Sequence, residues 1–158
     1  MKGSEKINKV LNRFLKNNGF ELSAKLGTDF AYFYDKSEIT YSLVNSERMN
    51  KLFKNYAYEL GLEYDCGDFL LAFFHEIGHD QTMEDLDDDL EEVCSLIKKT
   101  LSDTDKDANK YFRLYDERVA TEWAINYINN NKQKIQNFVY ELAPAITKFL
   151  KINKVEYV

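Results

Sequence analysis

Histidine is almost absent from this chain: its 158 residues hold two, His75 and His79. Cysteine is equally scarce, proline occurs once, and no apolar run is long enough to span a bilayer. The cysteines, Cys66 and Cys94, form neither a C-x-x-C pair nor a disulfide framework, so we read both as free thiols in preference to a metal ligand. The start, Met1-Lys2-Gly3-Ser4-Glu5-Lys6, runs into charged helix without the continuous apolar stretch of a secretory leader. We therefore expect a cytoplasmic protein with no membrane partner. Basic residues are outnumbered, 21 Lys and Arg against 27 Asp and Glu, and a net charge of −6 disfavours a nucleic-acid surface. Such a surface needs clustered Lys and Arg to displace counterions from phosphates.

What is present is the composition of a soluble globular protein: 44% hydrophobic, 30% charged, and rich in aromatics, with 11 Tyr and 11 Phe. The length suits one domain with a real core, and we read residues 1–158 as a single domain without repeats or low-complexity linkers.

Along the chain, Ile7, Val10, Leu11, Phe14 and Leu15 recur at three and four, which predicts an amphipathic helix from Ser4 to Lys16 ending near Asn17-Asn18-Gly19. Phe30 to Tyr34 and Ile39 to Leu43 flank Asp35-Lys36-Ser37-Glu38 and read as a hairpin. In its second strand Ile39, Tyr41 and Leu43 alternate with Thr40 and Ser42. We take that strand as an exposed edge on which an extended substrate segment could add. Asn45-Ser46 could cap a helix carrying Met49, Leu52, Phe53, Tyr56 and Leu60, stopping at Gly61. Another helix is expected to begin near Asp68. The acidic run Glu84 to Glu92 lacks the spaced ligands and central Gly of a calcium loop, and reads as a solvated helical face. One long helix is expected from about Asp107 to Asn129, and a last one from Gln133 to Ile152, in which Pro144 either makes a kink or opens a second helix.

Both histidines fall in Leu70-Leu71-Ala72-Phe73-Phe74-His75-Glu76-Ile77-Gly78-His79, within the pattern H-E-x-x-H. On a helix, positions four apart differ by about 40°, so His75 and His79 project from one face and can reach a single ion. Glu76 lies about 100° round, beside such an ion, where a carboxylate can take a proton from water. With Leu70 at zero, Phe73, Phe74 and Ile77 lie within about 60° of it, and Ala72, His75 and His79 lie opposite. We expect the apolar side to pack on the core and the other, kept open by Ala72 and Gly78, to face a cleft. The alternative is that these are ordinary helical side chains. The acidic charge makes a DNA-associated H-E-x-x-H protease less favourable.

Catalytic zinc takes three protein ligands plus water, so a third ligand must come from elsewhere. On the helix containing Asp116-Glu117-Arg118-Val119-Ala120-Thr121-Glu122-Trp123-Ala124, residues Leu114, Ala120, Thr121, Ala124 and Ile128 lie within about 60° of Glu117, and Glu122 about 140° away. Glu117 is thus an acid on a small, apolar stripe, where a cation is needed to keep it charged. Ala120 and Ala124 would let this helix approach that of His75. The alternative is an ordinary pair between Glu117 and Arg113. Asp85, six residues after His79, is a weaker ligand candidate because Thr82 suits the necessary sharp turn poorly.

His75-Glu76-Ile77-Gly78-His79 followed by Glu117-x-x-Ala120-x-x-Trp123-Ala124 resembles the ImmA/IrrE-type metallopeptidases, whose pattern is H-E-x-G-H and then E-x-x-A-x-x-F-A. The resemblance covers roughly residues 30 to 130, with Trp123 in place of the usual Phe and a long acidic insert between the motifs. No helix-turn-helix domain is evident. It implies a gluzincin-like fold, a zinc site of two His and one Glu, and often cleavage of a phage or bacterial transcriptional repressor. The expectation is therefore an α+β, mostly helical zincin-like domain with a small antiparallel sheet, acting as a Zn2+-dependent endopeptidase on a cytoplasmic protein. His75, His79 and Glu117 would hold the metal and Glu76 would be the base. Oxyanion stabilisation falls to a Tyr, Arg, Lys or Asn, with Tyr111 or Tyr115 as candidates although both point away from Glu117 on an ideal helix. The rival reading is a proteolytically inactive module, binding metal or a protein partner, that keeps the fold.

Overall fold

The computed structural model describes residues 3–43, 47–63 and 66–153. The elements run α1 (Ser4–Asn17), β1 (Ser23–Leu26), β2 (Ala31–Phe33), β3 (Glu38–Tyr41), α2 (Glu47–Glu59), α3 (Asp68–Thr82), α4 (Asp88–Lys98), α5 (Asp105–Phe112), α6 (Tyr115–Asn130) and α7 (Lys132–Asn153). The fold is α+β and mostly helical. It groups into two units, Met1–Asn45 with Asn130–Val158, and Ser46–Asn129.

In the first unit, the five apolar residues that predict α1 are all buried, and the helix ends before Gly19, whose φ of 75° is the left-handed conformation that glycine adopts without a Cβ penalty. Helix α7 packs on α1, with the rings of Phe14 and Phe138 4.2 Å apart. Exposed Pro144 lies inside a single 22-residue α7. At an exposed position water can take the carbonyl that loses its helical donor.

The hairpin forms, with β2 antiparallel to β3 and joined to it through a 3-10 turn at Tyr34–Lys36. A strand with little β-branched character, Ser-Ala-Lys-Leu in β1, adds parallel to β3 on the other side, from Ser23↔Glu38 to Leu26↔Tyr41. The sheet is therefore mixed, in the order β1-β3-β2. This corrects the expectation that Ile39 to Leu43 is an edge: β3 is central, both its sides are paired, and no substrate strand can add there. The outer edge of β1 is held by Asn12 of α1. Its side chain accepts from the Ala24 N–H at 2.7 Å and donates to the Ala24 carbonyl at 2.9 Å.

In the second unit, α2 buries Leu52, Phe53, Tyr56 and Ala57 and stops before Gly61, whose φ is 68°. The expected cap at Asn45-Ser46 lies outside the described residues. Helix α3 starts at Asp68 as expected. The acidic run spans the 3-10 turn Met83–Asp85 and the exposed start of α4, with Asp87 accepting from the Leu90 N–H at 2.7 Å as the N-cap of α4. The long helix expected from Asp107 to Asn129 is instead two helices, α5 and α6, with the break at Arg113-Leu114. Neither Gly nor Pro marks the break in the sequence. There the chain tightens, with the Leu114 N–H bonded to the Tyr111 carbonyl at 3.1 Å.

Candidate metal centre

Helix α3 is buried nearly all the way round, every residue from Phe69 to Gly78 included. The expected open side is thus closed over most of its length, and after Asp68 the next partly exposed residues of α3 are His79 and Asp80. Gly78 is not a cleft wall. A Cβ there would lie 2.3 Å from the Ala120 carbonyl oxygen, so its hydrogen is what lets the backbones of α3 and α6 come together. Fully buried Ala120 allows the same approach from the other side.

That approach brings three ligand atoms to one point. Nε2 of His75 and Nε2 of His79 each lie 2.8 Å from Oε2 of Glu117, and 3.1 Å from each other. His75 and Glu117 are buried and His79 is partly so. Among the described residues these three form the group of His, Cys, Asp and Glu able to hold a metal ion. A tetrahedral ion with bonds of about 2.0–2.1 Å separates its ligand atoms by roughly 3.3–3.4 Å, so the triangle must widen by only about half an ångström to admit one.

The hydrogen bonding around His75 favours an ion at that point. The Thr121 hydroxyl donates to the Glu117 carbonyl at 2.9 Å, so its oxygen accepts from Nδ1–H of His75, also at 2.9 Å. This assigns the lone pair to Nε2, the nitrogen that faces His79 and Glu117. Phe53 and Phe112 pack against the same imidazole, with ring centres 5.2 and 6.0 Å away. Two imidazole nitrogens and a carboxylate oxygen converging at such distances favour a positive charge between them. When no ion supplies it, a proton on His79 does. Burial disfavours that proton, but the carboxylate of Glu117 outweighs burial and pushes the His79 pKa up to about 9. Burial would likewise raise the Glu117 pKa, yet the charge on His79 beside it holds it well below its ordinary value.

Glu76, 8% exposed, stands close enough to contribute negative charge at both His79 and Tyr111. With the break between α5 and α6, Tyr111 lies near enough to Glu117 for the carboxylate to act on its phenol, contrary to the ideal-helix expectation. Its phenol pKa is driven upward by burial first and by Glu117 next. Tyr115 is exposed and lies against Arg118. Arg113 does not pair with Glu117: its guanidinium holds Glu59 at 2.5 and 3.1 Å. Glu122 is exposed, and Asp85 is exposed in the 3-10 turn Met83–Asp85, outside the ligand group. Cys66 and Cys94 are not joined in a disulfide and also lie outside it.

The residue the sequence did not reveal is Lys98. From the last turn of α4 its ammonium reaches Asp116 Oδ2 at 2.5 Å and Glu117 Oε1 at 3.1 Å, and lies 4.9 Å from the centre of the Tyr111 ring. Burial lowers its pKa, but Glu117 and Asp116 more than compensate and raise it, so the lysine is charged. A lysine 19 positions from its partner leaves no periodic signal. Asp116 and Glu117 thus bring two carboxylates against this ammonium, and Glu76 adds negative charge at His79 and Tyr111, an excess that a divalent cation would offset. Comparisons of the chain with protein-family models, with curated proteins and with solved structures give no match.

Proposed function

We propose that this chain is a zinc-dependent endopeptidase of the ImmA/IrrE type, acting on a cytoplasmic protein, with a phage or bacterial transcriptional repressor as the expected target class. The observation that carries the reading is the meeting of His75 Nε2, His79 Nε2 and Glu117 Oε2 within 3.1 Å of one another, with Glu76 next to His75 on the same helix. Two nitrogens and one carboxylate oxygen suit zinc, and a three-ligand set leaves a position for water or substrate.

Bound zinc would supply Lewis acidity at the attacking water and at the scissile carbonyl. Glu76 takes a proton from the water and returns it to the leaving amine. Tyr111 keeps its proton at neutral pH and can donate a hydrogen bond to the carbonyl oxygen as that atom gains negative charge. Thr121 holds the His75 ring with Nε2 toward Glu117 and His79, the side on which the metal would be held.

One observation favours the inactive module: Lys98 already gives Glu117 a cationic partner without any metal. Glu76→Gln separates the readings, since it keeps size and hydrogen bonding but removes the proton acceptor. The enzyme reading expects full metal content and turnover of an unstructured protein substrate lowered by roughly two or more orders of magnitude. Equal activity in wild type and Glu76→Gln would end this mechanism.

A further inference from the structure

We propose that Lys98 is a positioning residue for the metal centre: by holding Oε1 of Glu117, it leaves Oε2 as the only oxygen that Glu117 offers to the ion. The inference rests on the three-ligand reading and adds to it the coordination mode. A glutamate can bind a metal through one oxygen or through both, and a helical ligand does not choose by itself. Here the carboxylate is divided. Oε2 faces His75 and His79 at 2.8 Å, and Oε1 faces the Lys98 ammonium at 3.1 Å. To bind through both oxygens, Glu117 would have to turn Oε1 off the lysine and leave a partly buried ammonium one bond short.

The lysine is itself held. Asp116, adjacent to Glu117 on α6, takes a second ammonium proton at 2.5 Å, and the ring of Tyr111 lies beside it. Two successive carboxylates therefore receive one lysine, and the ammonium cannot follow Glu117 if that side chain rotates. Lys98 follows buried Cys94 by four residues and so shares the face that α4 turns inward, while Val93, Leu96 and Ile97 are exposed. Holding Glu117 to one oxygen preserves the open position that water and a scissile carbonyl need.

Metal affinity alone does not test this, because removing Lys98 takes away a positive charge that repels the ion while also freeing the ligand. Coordination number does. Cobalt(II) is the probe, since its visible bands are intense when it is four-coordinate and weaken as ligands are added. Wild-type protein loaded with one equivalent of Co2+ should show the intense four-coordinate spectrum. Lys98→Met, similar in length without the charge, should show bands several-fold weaker as Oε1 joins the ion, and Lys98→Arg, which keeps a cationic donor, should restore them. Should Lys98→Met not fold, Lys98→Gln, shorter and uncharged, must show the same loss. If the folded Lys98→Met or Lys98→Gln protein keeps the wild-type spectrum, or if Lys98→Arg loses it as they do, Lys98 does not set the coordination mode. Wild-type protein that takes up no Co2+ would instead overturn the metal site on which the inference rests.

Discussion

Replacing Gly78 by alanine tests whether the contact between α3 and α6 sets the geometry of the ligands. The added Cβ would meet the Ala120 carbonyl oxygen at 2.3 Å, and the carbonyl carbon and Cα of Ala120 at 3.0 Å. All three obstacles are backbone, so no side-chain rotation relieves them, and the helices must part by about an ångström to reach ordinary van der Waals contact. Alanine is the better helix former by about 1 kcal/mol, whereas overpacking costs about 1–3 kcal/mol, and against backbone the upper end applies. The net loss of stability should be about 2 kcal/mol, read as a lower denaturation midpoint with unchanged slope. The same displacement would carry Oε2 of Glu117 from 2.8 Å to near 4 Å from the imidazole nitrogens, beyond the roughly 3.3–3.4 Å of a tetrahedral site. Metal affinity should therefore fall as well, in a variant that touches no ligand. A Gly78→Ala protein as stable as wild type, or one binding zinc equally well, would refute the reasoning.

Three further outcomes follow from the hydrogen bonds and charges of the site. Without metal, protonated His79 is stabilised in the folded state, with its pKa raised from 6.5 to about 9, so its contribution is complete below 6.5 and is lost as pH rises through 9. Glu117, held below 4.5, contributes above that value and loses the contribution as pH falls through its folded pKa. Metal-free protein should thus lose stability between about pH 6.5 and 9. Metal uptake at pH 7 should release the His79 proton, measurable by calorimetry in buffers of different ionisation enthalpy. Thr121→Val removes the acceptor of Nδ1–H on His75 and should weaken metal binding about 10–100-fold; unchanged affinity would show that this bond does not orient the ring.

The parts of the site legible in the sequence were those carried by helical periodicity. His75 and His79 four apart, and Glu117 on a stripe with Ala120 and Thr121, followed from angles around ideal helices, and the structure joins them. What escaped depends on contacts between distant segments. Lys98 meets Glu117 across two connections, and the break at Arg113-Leu114 has no Gly or Pro to announce it, so Tyr111 could not be oriented correctly from an unbroken helix. Gly78 was misread for a related reason. A glycine on a helix face signals either open space or close backbone approach, and only the position of Ala120 decides between them. In the sheet, Ser23–Leu26 lacks the β-branched residues that reveal a strand, and missing it made the central β3 look like an edge. The mixed strand order depends on a parallel pairing between segments separated by β2.

The most direct test of the central claim is the metal content of purified protein, wild type beside Glu117→Ala, Glu122→Ala and Asp85→Ala. The account predicts zinc at one equivalent per chain in wild type, its loss in Glu117→Ala, and full retention in Glu122→Ala and Asp85→Ala, because Glu122 and Asp85 are exposed and outside the ligand group. Equal zinc in Glu117→Ala and Glu122→Ala, or loss in Asp85→Ala alone, would contradict it.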